Sequence, residues 1–199
     1  MGLLNARAGA IRLGWDSPVD EVIHPACINL EARGGLGWLD GFNEMLVRCG
    51  FEWSGHVGVE NGRCFSLHGR VQNIPASRVV VTIGKAAPHR ITVCGLVKEK
   101  TFKFCDLETW AGVSVIPGET AFHVHDELTN RSSYEREYQI IYHANFGRPI
   151  LEGGAQIAAT AEDISPFNDV ARAGLADWQT CLPPTAGFDE MVFNLTPVA

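Results

Sequence analysis

Hydrophobic residues in this chain recur at every second position, in short runs cut by turn signals, and that period restricts it to a β fold. Residues 78–85 are a β-branched run around Val79, Val80, Val81, Thr82 and Ile83. Ile91 and Val93, then Leu96 and Val97, form a second run, and Phe102 and Phe104 alternate with Thr101 and Lys103. Between 121 and 129, Phe122, Val124 and Leu128 share one face while His123, His125 and Glu127 take the other. Tyr138, Ile140 and Tyr142 against Gln139, Ile141 and His143 describe a strand with both faces partly buried. Successive strand side chains point to opposite faces, so each alternation defines an inside and an outside. Pro88-His89, Pro117-Gly118, the Asn-Arg-Ser-Ser stretch at 130–133 and Gly153-Gly154 punctuate the runs as turns. Only 169–177 reads as helical. Many short strands and few helical stripes predict an all-β fold, an antiparallel β-sandwich or barrel. The first fifty residues read as loops, with Gly34, Gly35 and Gly37 crowding around Trp38.

The 199 residues show no linker, repeat or composition boundary, so residues 1–199 are read as one domain. Sixteen Lys and Arg against 23 Asp and Glu, with no basic block, exclude a nucleic-acid surface, because phosphate binding needs clustered cations. No uncharged apolar run approaches the ~20 residues of a membrane span. Residues 1–14 lack the apolar stretch of a secretion signal, so the expected compartment is the cytoplasm. Six cysteines, unevenly spaced and without a Cys-x-x-Cys pair, read as reduced thiols rather than as a zinc or disulfide framework. The glycines at 34, 35, 37 and 41 do not have the spacing of a dinucleotide loop, and neither a phosphate-binding loop nor a serine-nucleophile elbow is present. No cofactor is expected.

Three histidine contexts remain. His68 precedes Gly69 and Arg70, and a glycine between two long polar side chains lets both converge on one small ligand. His143 closes a strand that Gly147 and Pro149 break, and a strand end fixes a side chain while leaving it reachable. His123 and His125 lie on one strand face after Pro117-Gly118, which resembles the first metal motif of a cupin. That gives a cupin-like metal protein as an alternative, with His143 as a third ligand, although Glu127 follows His125 more closely than the cupin pattern has it.

The segments 35–44, 48–50 and 67–76, with Leu67-His68-Gly69-Arg70-Val71-Gln72-Asn73 at their centre, resemble the aldose 1-epimerase family, the galactose-mutarotase-like proteins, in a poorly characterised branch. Segments 126–130, 142–149 and 166–190 fit the same group, so the resemblance runs from about Leu13 to Phe193. It implies a large antiparallel β-sandwich and interconversion of sugar anomers by acid–base ring opening. By this resemblance His143 is the candidate acid, and His68 with Arg70 would bind sugar hydroxyls or the ring oxygen. Asn73 and Asn145 would add hydrogen bonds, and Trp38 or Trp53 a stacking face. It further implies a base glutamate on a strand near the end of the fold, which no segment matches; Glu127 and Glu190 do not fit that motif. The chain is therefore expected to be shorter than its family at the C-terminal side, and a truncated or non-catalytic sugar-binding module is the second reading. The partner expected is a small sugar, and open sheet edges would favour a homo-oligomer.

Overall fold

The structure, a computed structural model, describes residues 2–198. In chain order, β1 (Arg7–Ala8) and β2 (Ile11–Arg12) form a small hairpin. A long loop layer with one kinked helical turn, α1 (Ala32–Gly35), leads into β3 (Leu46–Phe51). A second hairpin joins β4 (Gly58–Glu60) to β5 (Arg63–Phe65). The largest unit follows, a four-stranded antiparallel meander of β6 (Arg78–Ile83), β7 (Ile91–Thr101), β8 (Cys105–Val115) and β9 (Phe122–Asn130). Next, β10 (Gln139–Ala144) returns to pair with β3. Finally β11 (Ala161–Pro166) pairs with β12 (Phe193–Pro197), with α2 (Asp169–Ala173) between them. No helix among the described residues is long and apolar enough to cross a membrane.

All strand pairings between these elements are antiparallel, and they stack as layers rather than close into a barrel. The inner face of the meander brings Val97, Leu107 and Leu128 against Phe51, Val71 and Ile140. The β3–β10 ladder forms the second layer. Its far side carries Val47 and Cys49, which pack with Trp38, Leu67, Leu30 and Phe42 of the loop layer. Strand β3 is thus buried on both faces, with every residue buried, while β10 beside it stays partly exposed. Such a position demands apolar residues on both sides of a strand, which Leu46, Val47, Cys49 and Phe51 provide.

The alternations at 78–85, 91–97, 121–129 and 138–143 all correspond to strands, and the helical reading at 169–177 to α2 and the 3₁₀ turn Leu175–Asp177. Phe102 and Phe104 are a correction. They flank Lys103 at φ 68° in the tight turn between β7 and β8, where Phe104 N donates to Thr101 O at 2.9 Å. A hairpin turn leaves no sheet to bury them, and both rings are exposed.

Two glycines hold the layers at close approach. A Cβ on Gly50 would stand 2.1 Å from Gln139 O of β10, and one on Gly69, at φ 76°, would stand 2.3 Å from Trp53 O. Both contacts are with backbone, which cannot swing away. Gly69→Ala is expected to cost about 3 kcal/mol or more, combining left-handed strain with overpacking. Urea denaturation would read this as a lowered midpoint; a midpoint within error of the unsubstituted protein would show that the turn relaxes freely.

Candidate functional site

The register of the β3–β10 ladder sets one half of the site. His143 stands directly opposite Val47, and directly opposed residues of an antiparallel pair share a face. His143 therefore projects with Val47 and Cys49 toward the loop layer, away from the meander. His68 reaches the same place from the loop after β5. Its backbone is left-handed, at φ 57°, and is pinned on both sides: His68 N donates to Gly55 O at 2.8 Å and Gly50 N donates to His68 O at 3.0 Å.

The two imidazoles meet with ring centroids 5.3 Å apart at 65°. Trp38 lies edge-on to His68 at 4.8 Å and 5.7 Å from His143, and Phe42 meets the His143 ring edge-on at 5.2 Å. Trp38 is buried, at 3% exposure, so it serves as a wall for the histidines rather than a stacking face open to solvent. Burial pushes the His68 pKa down to about 4, helped by the nearby rings of His143 and His56. Burial also lowers His143, while its hydrogen bond with the Asn145 side chain pulls the other way. Both rings are therefore neutral near pH 7. Among the described residues the buried His68 Nδ1 has no hydrogen-bond partner, a costly state for a polar atom unless something polar arrives to meet it.

A group whose folded pKa is depressed binds fewer protons folded than unfolded, so acid favours unfolding. Stability is expected to be fully present above about pH 6.5 and to fall as pH drops through about 4. For His68 the loss is roughly 2 kcal/mol, discounted because the ring is only half-buried. Thermal melts across that range would check it, and a flat profile would show that the rings are not desolvated.

The remaining sequence candidates distribute differently. Asn145 does stand beside His143, and it also braces the ladder end, its Nδ2 donating to Glu44 O at 2.8 Å. Asn73 ends the 3₁₀ turn Val71–Asn73 and lines a recess of about 30 Å³ with Trp38, Glu44 and Gln72, room for about one water and not for a sugar. The guanidinium of Arg70 does not share a ligand with His68 here. Its Nε donates to Glu99 at 3.0 Å, and its Nη2 to Glu52 at 3.2 Å and Thr101 at 2.7 Å. Gly69 at positive φ turns the chain between His68 and Arg70, and the two side chains serve different layers. Trp53 donates Nε1 to Ser66 O at 2.9 Å and is overlain by Arg63 at 5.2 Å.

The metal alternative is not assembled. His123 and His125 are exposed on β9, opposite Ser114 and Gly112, whereas His143 belongs to the ladder. Among the described residues no group of three or more His, Cys, Asp or Glu could hold a metal ion. The alternation that set these two histidines apart from Val124 is the reason, since it turns them outward. Sequence reasoning missed Phe42 and the buried carboxylate Glu99; the signal for the first was only its closeness to Trp38 in sequence.

A family model described as a domain of unknown function, DUF4432, matches residues 1–199. A crystal structure described as that of a "putative aldose 1-epimerase" from Klebsiella pneumoniae is 55% identical, with a TM-score of 0.97 over 100% of this chain and 52% of its own. The chain thus spans about half the length of that protein. No curated protein matches.

Proposed function

The chain belongs to the DUF4432 family, and from that membership and the paired histidines we propose that it builds the sugar-holding part of an aldose 1-epimerase-like site. The observation that supports this most is the His68–His143 pair, two neutral imidazoles in ring contact against Trp38 and Phe42, one of them with an unpartnered buried nitrogen. Anomer interconversion needs a proton delivered to the ring oxygen and another removed from the anomeric hydroxyl. His143 is the donor in this reading. A depressed pKa leaves it rarely protonated near pH 7 but makes its protonated form a stronger acid, which suits transfer to a weakly basic oxygen. The unpartnered Nδ1 of His68 accepts a sugar hydroxyl and orients the ring. Asn145, by its bond to His143, sets that imidazole's orientation.

Neither Glu127 nor Glu190 stands with the pair. Glu127 is exposed on β9, and Glu190 is exposed in the loop before β12. The second reading, a sugar-binding module without turnover, therefore uses the same residues, and one experiment separates the two. Freshly dissolved α-D-galactose is followed by optical rotation with and without protein, and the His68 and His143 ring signals are followed by NMR during the same titration. Shifted ring signals with equilibration faster than in buffer support the epimerase. Shifted signals at the buffer rate support the binding module. Rings that stay unperturbed across a panel of aldoses and uronates would sink both.

Within this reading the chain is expected to self-associate through the unpaired edge of β6, because exposed backbone donors and acceptors template further strands. Light scattering that gives a monomer at all concentrations would count against it.

A further inference from the structure

Glu99 is a charged residue on β7 with no part in the proposed sugar chemistry, yet its side chain is 1% exposed. One oxygen, Oε2, accepts from the backbone amides of Phe51 at 2.9 Å and Glu52 at 3.2 Å. The other, Oε1, accepts from Arg70 Nε at 3.0 Å. The carboxylate thus ties together two separate stretches of chain, the end of β3 and the second residue after His68. Those stretches are the ones that hold His68. Gly50 N donates to His68 O, and Arg70 N donates back to Gly50 O at 3.2 Å. Among the described residues nothing bonds His68 Nδ1, so the aim of the ring rests on its contacts with Trp38 and His143 and on a left-handed backbone that costs about 1–3 kcal/mol unless its surroundings over-determine it.

Resting on the role given to His68 above, we infer that Glu99 is a positioning residue for His68, fixing through Arg70 and the Phe51 and Glu52 amides the turn that aims the His68 ring at His143. A purely stabilising role fits less well. Burial raises the Glu99 pKa even though the Phe51 amide, Arg70 and the Glu52 amide all oppose the rise, so the cost of desolvation is not fully offset. Buried ion pairs are weak contributors to stability compared with apolar side chains of the same volume. What an apolar side chain cannot do is order two backbone amides and a guanidinium at once.

The test needs no sugar, so its failure leaves the sugar reading intact, and a protein that binds no sugar can still pass it. The rings of His68 and His143 are titrated by NMR in the 199-residue chain, in Glu99→Gln and in Glu99→Asp. In the unsubstituted protein His68 is expected to titrate at about 4, held down by burial and by the facing rings of His143 and His56. In Glu99→Gln the turn relaxes, water reaches the ring, and the His68 midpoint rises by about one unit while His143 moves less. Glu99→Asp keeps the charge and recovers most of the original midpoint. An unchanged His68 midpoint in folded Glu99→Gln overturns the assignment, as does an equal rise of both histidines, which would mean general loosening. Should Glu99→Gln fail to fold, Arg70→Gln, which cuts the same link from the other side, decides: an upward shift confined to His68 supports the assignment and no shift overturns it.

Discussion

Under the proposed epimerase reading, His143→Ala is expected to slow anomer equilibration by a factor of about 10² to 10⁴, the usual worth of a positioned general acid. Sugar binding should persist, because His68 Nδ1 and the Trp38 wall do not depend on the His143 ring for their place: His68 is held through Gly50 and Gly55. The fold should persist too, since the lost ring is only partly buried and the ladder hydrogen bonds of β10 are backbone bonds. The variant should also resist acid better than the parent, because one of the two depressed histidines is gone. Optical rotation for rate, NMR for binding and a melt near pH 5 together separate chemistry from structure. An undiminished rate in His143→Ala would show that the acid is another group.

The largest effect on stability is expected from Asp126→Ala. Arg48 Nε lies 2.5 Å from Asp126 Oδ2, with side chains 3% and 6% exposed. Around that pair the layers are stitched together. Arg48 Nη2 donates to Gly112 O at 3.2 Å, Gly112 N donates to Asp126 Oδ1 at 3.3 Å, and Tyr142 Oη donates to Asp126 Oδ2 at 2.9 Å. Residues of β3, β8, β9 and β10 thus meet on one carboxylate. Removing it leaves a buried guanidinium without that counter-charge, which costs about 3–5 kcal/mol. Against total stabilities of about 5–15 kcal/mol, this removes between about a fifth and all of the margin that keeps a domain folded. Tyr142→Phe, which removes one hydrogen bond and keeps the charges paired, should cost only about 1 kcal/mol. Urea titration of both variants tests the contrast. A loss below 1 kcal/mol for Asp126→Ala would mean that water replaces the carboxylate.

What the sequence disclosed divides along physical lines. Strand β6 was legible as a β-branched run, and β7, β9 and β10 because their side chains alternate, as in Phe122, Val124 and Leu128 against His123, His125 and Glu127. Strand β8 escaped notice because its inner face carries Thr109 and Ala111 as well as Leu107, a weak apolar signal in a well-buried position. Strand β3 escaped because Arg48 and Gly50 interrupt it; a buried arginine makes sense only once Asp126, 78 residues away, is seen beside it. His68 and His143 were legible from their places at a glycine turn and a strand end. The commitment of Arg70 to Glu99 was not, since neighbours in sequence suggested a shared ligand where a left-handed turn sends the two side chains apart.

The pairing of β3 with β10 also has a consequence in time. Leu46 finds its partner Ala144 nearly a hundred positions later, whereas each strand of the meander waits only for the next hairpin. Contacts that close long loops form late. On a ribosome adding about 5–20 residues per second, β3 waits roughly 5–20 seconds for its partner to be made. Through that interval Val47, Cys49 and Phe51 have no ladder to belong to. The histidines therefore meet only after all four strands of the meander have been made, so the site assembles later than the sheet that lies beneath it.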